Sequence, residues 1–327
     1  MNKTKQKKEI VQFFEERTFG DIIGAPFQFI IQEFKPFAGS LLKFAGPFVA
    51  LAFLAVSLLA NDIYSSVVMN GSVSDSTAVY GVILAIALIL GMLAITVTTH
   101  SYITLYVDKG KGNFTKDDVG DLLKKNVWKV FGAGILVYIM VFVGMLLIYI
   151  PGIYLVIALS FVFLIIIYEN ADAGKSISRS FEVIKGRWWQ TFGLILVFGM
   201  IIGATSYVFI IPIYAVIIAA AISGTQIGTG SVILLTLFVF LYFTAYLFFM
   251  SMQQIMIAFQ YFSISAGKNG IRLKDRIAAI NEDDFEENSE NTVTEKDETG
   301  EIKKSEEPNR NRFSENDNDI NRFKPKQ

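Results

Sequence analysis

Cysteine is absent from this 327-residue chain and histidine occurs once. Without thiols there are no disulfides, thiolate metal sites or cysteine nucleophiles, and the compartment stays open because no bridge has to form. No Asp or Glu stands in the middle of any long apolar run, so a proton relay inside those runs has no carboxylate to work with. Lys and Arg are missing from residues 61–77, from the Pro151-Gly152 pair and from residues 223–230. Residues 1–17 contain no apolar leader core, so the first hydrophobic segment is expected to remain as an anchor. Phosphate-loop, zinc and dinucleotide spacings are lacking as well. The run Asp108-Lys109-Gly110-Lys111-Gly112-Asn113 has no oxygen ligands at the third and fifth positions of a calcium loop and reads as a turn. These absences lead us to expect no cofactor, no metal, no catalytic residue and no nucleic-acid partner.

Long apolar runs dominate what remains. Hydrophobic residues make up 53% of the chain and the mean hydropathy is +0.47, above the usual soluble range. Six runs, at about 40–60, 78–106, 130–150, 153–168, 191–222 and 231–262, mostly reach the ~20 residues that cross ~30 Å of hydrocarbon. Backbone groups in lipid must be satisfied within the segment, and the runs show no period-two alternation, so they read as helices and not as barrel strands. The expected fold is all-α, a polytopic membrane protein with six transmembrane helices. The fourth run is short, and Pro151 at its first helical position with Gly152 in a tight turn would lengthen it. The fifth exceeds one crossing, and Pro212 is expected to kink it or let its end leave the lipid.

Charge sets the orientation. Lys3, Lys5, Lys7 and Lys8 precede the first run. Lys109, Lys111, Lys116, Lys124 and Lys125 follow the second, and Lys175, Arg179, Lys185 and Arg187 follow the fourth. Lys268, Arg272, Lys274 and Arg276 follow the sixth. By the positive-inside rule both termini lie in the cytoplasm, with six crossings of a bacterial cytoplasmic (inner) membrane. The expected organisation is a cytoplasmic N-terminal segment (1–39), a six-helix transmembrane domain (40–266) and a cytoplasmic tail (267–327). From Asn281 onward the chain is acidic, poor in aromatics and aperiodic, which is the composition of a disordered segment. That tail is the candidate attachment point for a soluble cytoplasmic protein.

Three amphipathic helices are expected at the cytoplasmic interface. Ile177, Phe181 and Ile184 oppose Lys175, Arg179 and Glu182; Val119, Leu122 and Leu123 oppose Asp117, Asp121 and Lys124, with Thr115 and Asp118 spaced as a capping box. In the first segment Phe19, Ile23, Phe27 and Ile30 oppose Asp21, Gln28 and Gln32, and Pro26 threatens to break it. A surface helix followed by a two-span hairpin would then occur three times, at uneven spacing; the plainer reading is three unrelated interfacial helices.

Few side chains invite a functional reading. Arg187, Trp188 and Trp189 fall where the third amphipathic helix meets the fifth span, as an interface anchor or, more sharply, a lipid-headgroup site. His100 and Thr104 in span two, with Gln253 and Gln260 in span six, form a candidate intramembrane polar cluster. We expect His100 to make a structural interhelical hydrogen bond rather than to transfer protons, and the two glutamines to act as polar glue. Gly199 and Gly203 form a small-xxx-small pattern expected to pack within the bundle.

Over Pro151-Gly152-Ile153-Tyr154, Tyr168-Glu169-Asn170 and Arg179-Ser180-Phe181-Glu182-Val183-Ile184-Lys185-Gly186-Arg187-Trp188-Trp189, the chain resembles a family of bacterial six-span membrane proteins. It is similar to the membrane domain that precedes the catalytic domain in some glycerophosphodiester phosphodiesterases. The likeness is clearest over 151–202, diffuse over the first three spans, and does not include the tail. It implies a membrane module and not an activity, because the His-Arg-Gly metal motif of the phosphodiesterase is missing: His100 is followed by Ser101 and Tyr102. The expectation is a non-enzymatic membrane scaffold or lipid-interacting module whose partners are membrane lipids. The alternative is a transporter or permease for a small apolar or lipidic molecule.

Overall fold

The computed structural model describes residues 12–63, 65, 75–147, 149–223 and 229–293, of which 220, 221, 223, 229, 232 and 269–293 are described by their backbone alone. Among these residues it contains nine α-helices and no strand: α1 (Phe19–Phe44), α2 (Gly46–Ile63), α3 (Asp75–Lys109), α4 (Lys116–Leu147), α5 (Tyr149–Ala158), α6 (Val162–Tyr168), α7 (Ala173–Ile184), α8 (Trp188–Ser223) and α9 (Thr229–Val293). Six stretches are long and apolar enough to cross a membrane: Gly46–Ile63, Asp75–Lys109, Lys116–Leu147, Tyr149–Tyr168, Trp188–Ala219 and Ile233–Lys268. The chain is a polytopic helical membrane protein. It divides after Ile264 into two units. The second, from Ser265, begins inside α9, which continues to Val293, so the start of the acidic stretch is helical and residues 294–327 lie outside the described residues. The N-terminal lysines and much of the two cation-free loops at 61–77 and 223–230 also fall outside them.

α1 begins on a capping box that the sequence reading missed. Thr18 Oγ1 accepts from the Asp21 amide at 3.4 Å, and Asp21 Oδ2 accepts from the Thr18 amide at 3.3 Å, closing two of the helix's free donors. The Thr18 bonds hold the Asp21 carboxyl below the usual carboxylate range. The expected first helix forms and Pro26 does not break it; α1 runs on through Pro26 and Pro36 to Phe44. A proline inside a helix strands the carbonyl four residues earlier. For Pro36 that carbonyl is Gln32 O, and Lys111 Nζ donates to it at 3.2 Å. The first span accordingly starts at Gly46 and not near residue 40, since 40–44 complete α1 and Ala45 is the joint.

The other two amphipathic segments differ from this and from each other. The second is continuous with its span: Thr115 and Asp118 form the expected capping box, at 2.7 Å from the Thr115 amide to Oδ2 and 3.3 Å from the Asp118 amide to Thr115 Oγ1, and α4 then continues to Leu147. The third, α7, is cut from α8 by Gly186, whose φ of 81° lies in the left-handed region that a side chain disfavours. One surface helix is jointed, one is fused and one is turned.

Span four is broken. α5 ends at Ala158 and α6 starts at Val162, with the Ser160 amide donating to Ile157 O at 3.3 Å across the gap. Pro151 sits at the third helical position of α5 and not the first, where its missing N–H still costs no intrahelical bond. Gly152 faces α4 so closely that a Cβ there would stand 2.8 Å from both Met145 Cα and Met145 N, so only glycine fits this hairpin. α8 stays helical through Pro212. The main core lies at the end of the bundle that carries the Lys and Arg residues, where Phe29, Phe37, Tyr102, Phe161, Phe198, Phe259 and Phe262 are fully buried.

Candidate functional site

The basic end is tied by two carboxylates, Glu33, which is buried, and Glu169, which is not. Glu33, 3% exposed, lies on the protein-facing side of α1 between Phe29 and Phe37. It accepts the Tyr102 hydroxyl of α3 at 2.7 Å and pairs with Lys111 at 2.9 Å. Lys111 reaches it because Gly110 and Gly112 both adopt positive φ (81° and 77°) and fold the α3–α4 turn back over α1. A buried carboxylate is tolerated only when charge and hydrogen bonds compensate it, and here one lysine serves both Glu33 and the carbonyl that Pro36 strands. Glu169, at the end of α6, accepts the Tyr261 hydroxyl of α9 and receives Arg179 Nε of α7 at 3.4 Å, while Arg179 NH1 reaches Glu182 at 3.1 Å. Burial works against the charge on Arg179, but the bonds to Glu182 and Glu169 outweigh it and leave the guanidinium more basic than usual.

An N-terminal segment closes this end. Phe13 stacks on Phe259 at 4.2 Å and meets Phe29, Tyr106 and Phe262 edge-on. The Arg17 amide donates to Ser263 Oγ at 2.9 Å, and its guanidinium lies 5.4 Å from the Phe259 ring centre. Neither Phe13 nor Glu33 is evident in the sequence reading. For Glu33 a signal existed: it is the one charge on the stripe Ile22, Phe29, Glu33, Phe37 and Ser40 that turns out to be buried. The stripe chosen from sequence was rotated from this one, and its Phe19 and Phe27 remain partly exposed.

The four residues of the expected polar cluster are not brought together by any bond between them. His100 Nδ1 lies 2.8 Å from Thr96 O, one turn back in the same helix. A carbonyl only accepts, so Nδ1 carries the proton and Nε2, buried with no partner among the described residues, is the lone-pair nitrogen. The bond is thus intrahelical and not interhelical. Thr104 Oγ1 is buried with no hydrogen-bond partner among the described residues. The bond joining α9 to this stretch of α3 comes from Gln254, whose Nε2 donates to Thr96 Oγ1 at 3.0 Å. Gln260 Nε2 donates to Thr191 Oγ1 of α8 at 3.1 Å. Gln253 faces α8 as well, but lines a cleft there.

Arg187, Trp188 and Trp189 stand together at the start of α8. Trp188 lies parallel to Tyr154 at 5.8 Å, donates to Tyr154 O at 3.4 Å and stacks on Phe192 at 5.3 Å. Trp189 is 77% exposed and meets Trp188 and Phe192 edge-on at 4.8 and 6.0 Å. Arg187 is half exposed; it reaches Gln190 Oε1 at 3.3 Å and Glu16 at 3.7 Å. Trp128 of α4, 78% exposed, is a second outward indole that sequence reading did not single out.

Between α8 and α9 lies an open cleft of about 450 Å³ lined by Gly199, Gly203 and Tyr207 on one side and Tyr246, Met250 and Gln253 on the other. The small-xxx-small pair was expected to bring helices into contact. Instead, a Cβ built on Gly199 or Gly203 meets no atom within 4 Å, so the two glycines face open space and make no close helix contact. Among the described residues no group of His, Asp and Glu is placed to hold a metal ion. Comparison of the chain with models of known families, with characterised proteins and with solved structures finds no match.

Proposed function

We propose that this protein is a non-enzymatic, lipid-interacting module of a bacterial cytoplasmic membrane, with both termini in the cytoplasm. The observation that carries the reading is the Gly186 turn. It ends the amphipathic α7 and starts α8 with the partly buried Trp188 stacked on Tyr154, while Trp189 and the half-exposed Arg187 are left at the protein's rim. An indole at the headgroup level and a guanidinium that can fork onto a phosphate are the groups such a surface needs. The orientation rests on the Lys/Arg asymmetry of the connections. Kinship with six-span membrane modules belongs to the same proposal and rests on the likeness over 151–202. Passage of a lipidic molecule is the second reading, and the α8/α9 cleft is the observation that favours it.

The test compares phospholipid co-purified with the native protein and with Arg187→Ala/Trp189→Ala, quantified by mass spectrometry. Trp188 is left in place because its packing would confound the result. Anionic phospholipid is expected to fall several-fold; unchanged content overturns the reading. Since the chain has no cysteine, single cysteines at Asp75 and Asn113 report orientation by labelling in intact cells. Only the Asp75→Cys variant should react.

A further inference from the structure

We infer that the α8/α9 cleft is a binding site for a single apolar chain bearing a hydrogen-bonding oxygen, in the class of long-chain alcohols and ketones, with that oxygen at Gln253. The inference deepens the lipid-interacting reading and rests on it. Three observations converge. The cleft, at about 450 Å³, lies in the range of small-molecule sites, ~300–1,000 Å³. Gly199 and Gly203 border it without side chains, at positions where a Cβ would meet no atom within 4 Å. And the Gln253 side chain, on the wall of this space, has no hydrogen-bond partner among the described residues, whereas its neighbours Gln254 and Gln260 each donate to a threonine on another helix.

Depth narrows the ligand. Gly203 lies at the midpoint of the Trp188–Ala219 span, and Gln253 lies within about one helical turn of the midpoint of Ile233–Lys268. An unpaired primary amide in hydrocarbon is costly, so the cleft selects a molecule that supplies an acceptor or donor there. Phospholipid headgroups and ester linkages sit near the interfaces and not at the midplane. The matching oxygen must therefore be carried on a chain that reaches the middle of the bilayer. Ser206 Oγ donates to Ile202 O at 2.8 Å and so offers the ligand only its lone pairs, and Tyr207 and Tyr246 wall the apolar part.

The experiment uses the full-length protein in membranes and two photoactivatable probes of equal length, a diazirine-bearing 8-hexadecanol, whose hydroxyl is in mid-chain, and a diazirine-bearing hexadecane, with adducts mapped by peptide mass spectrometry. Hexadecanol adducts should concentrate on peptides covering 199–210 and 242–253. Gly203→Leu fills the space without meeting an atom within 4 Å of its Cβ, so it should keep the thermal transition of the native protein and lose those adducts. Gln253→Leu should lower hexadecanol labelling about fivefold, the equivalent of one hydrogen bond, and leave hexadecane labelling unchanged. Labelling spread evenly over the lipid-facing helices, or undiminished in a folded Gly203→Leu, overturns the inference. Adducts confined to the peptide around Arg187–Phe192 overturn it while leaving the lipid-interacting reading standing.

Discussion

The two halves of α3 are made of the same continuous helix and live in different surroundings. Its first half is almost wholly aliphatic, yet Val79, Val82, Ile86 and Ile89 face outward, Val82 by 59%. Its second half carries Thr98, Thr99, His100, Ser101, Tyr102 and Thr104, and every residue from Val97 to Tyr106 is buried. In a water-soluble protein the order would be reversed. Lipid tails solvate an aliphatic side chain as well as a protein interior does, so hydrophobicity alone gives helices no reason to associate. Hydroxyls, amides and carboxylates have no partners in lipid, and they gather where α1, α7 and the start of α4 can cover them. The polar end is the packed end, and the apolar end is the one left facing outward.

That contrast predicts where substitutions hurt. The largest loss is expected where backbones touch: Gly152→Val places atoms into Met145 of α4, and overpacking of this kind should destabilise by about 3 kcal/mol or more, read as a lowered thermal transition in detergent. Gly199→Leu, in the open cleft, should leave that transition unmoved. Next comes Lys111→Met, which strips Glu33 and the Gln32 carbonyl of a shared cation. Because Lys111 is itself partly exposed, water softens the loss to about 2 kcal/mol, and the conservative Lys111→Arg should recover most of it. Smallest is Gln260→Leu, which removes one interhelical bond to Thr191 and should cost about 1 kcal/mol, within the range measured for such bonds in membranes. If Gln260→Leu proved as damaging as Gly152→Val, polar bonding and not close backbone contact would be the dominant tie.

The spans and the α4 cap were legible because their causes are local. The Thr115–Asp118 box needs only a spacing of three, and an apolar run declares its own length. The faces of α1 were not legible, because Phe19, Ile23, Phe27 and Ile30 make as good an apolar stripe as Ile22, Ala25, Phe29 and Phe37. A helix at a membrane surface has three surroundings, and amphipathicity separates water from the other two without separating lipid from protein. The break between α5 and α6 is similar in kind. Nothing at Leu159-Ser160-Phe161 marks a helix end in the sequence, and the break is buried between α7, whose Ser180 Oγ donates to Ala158 O at 2.6 Å, and the core around Phe161.

The sequence by itself determined the number of spans, the separation of cationic from cation-free connections, and the Thr115–Asp118 capping box, all of which follow from hydropathy, charge and spacing along a few turns of chain. Only the tertiary structure decided that Glu33 would meet Tyr102 and Lys111, that Gln254 and Gln260 would join helices while Gln253 would not, and that Gly199 and Gly203 would border a cleft. Those outcomes depend on which face of each helix meets protein, and an apolar side chain does not distinguish that environment from the hydrocarbon around it.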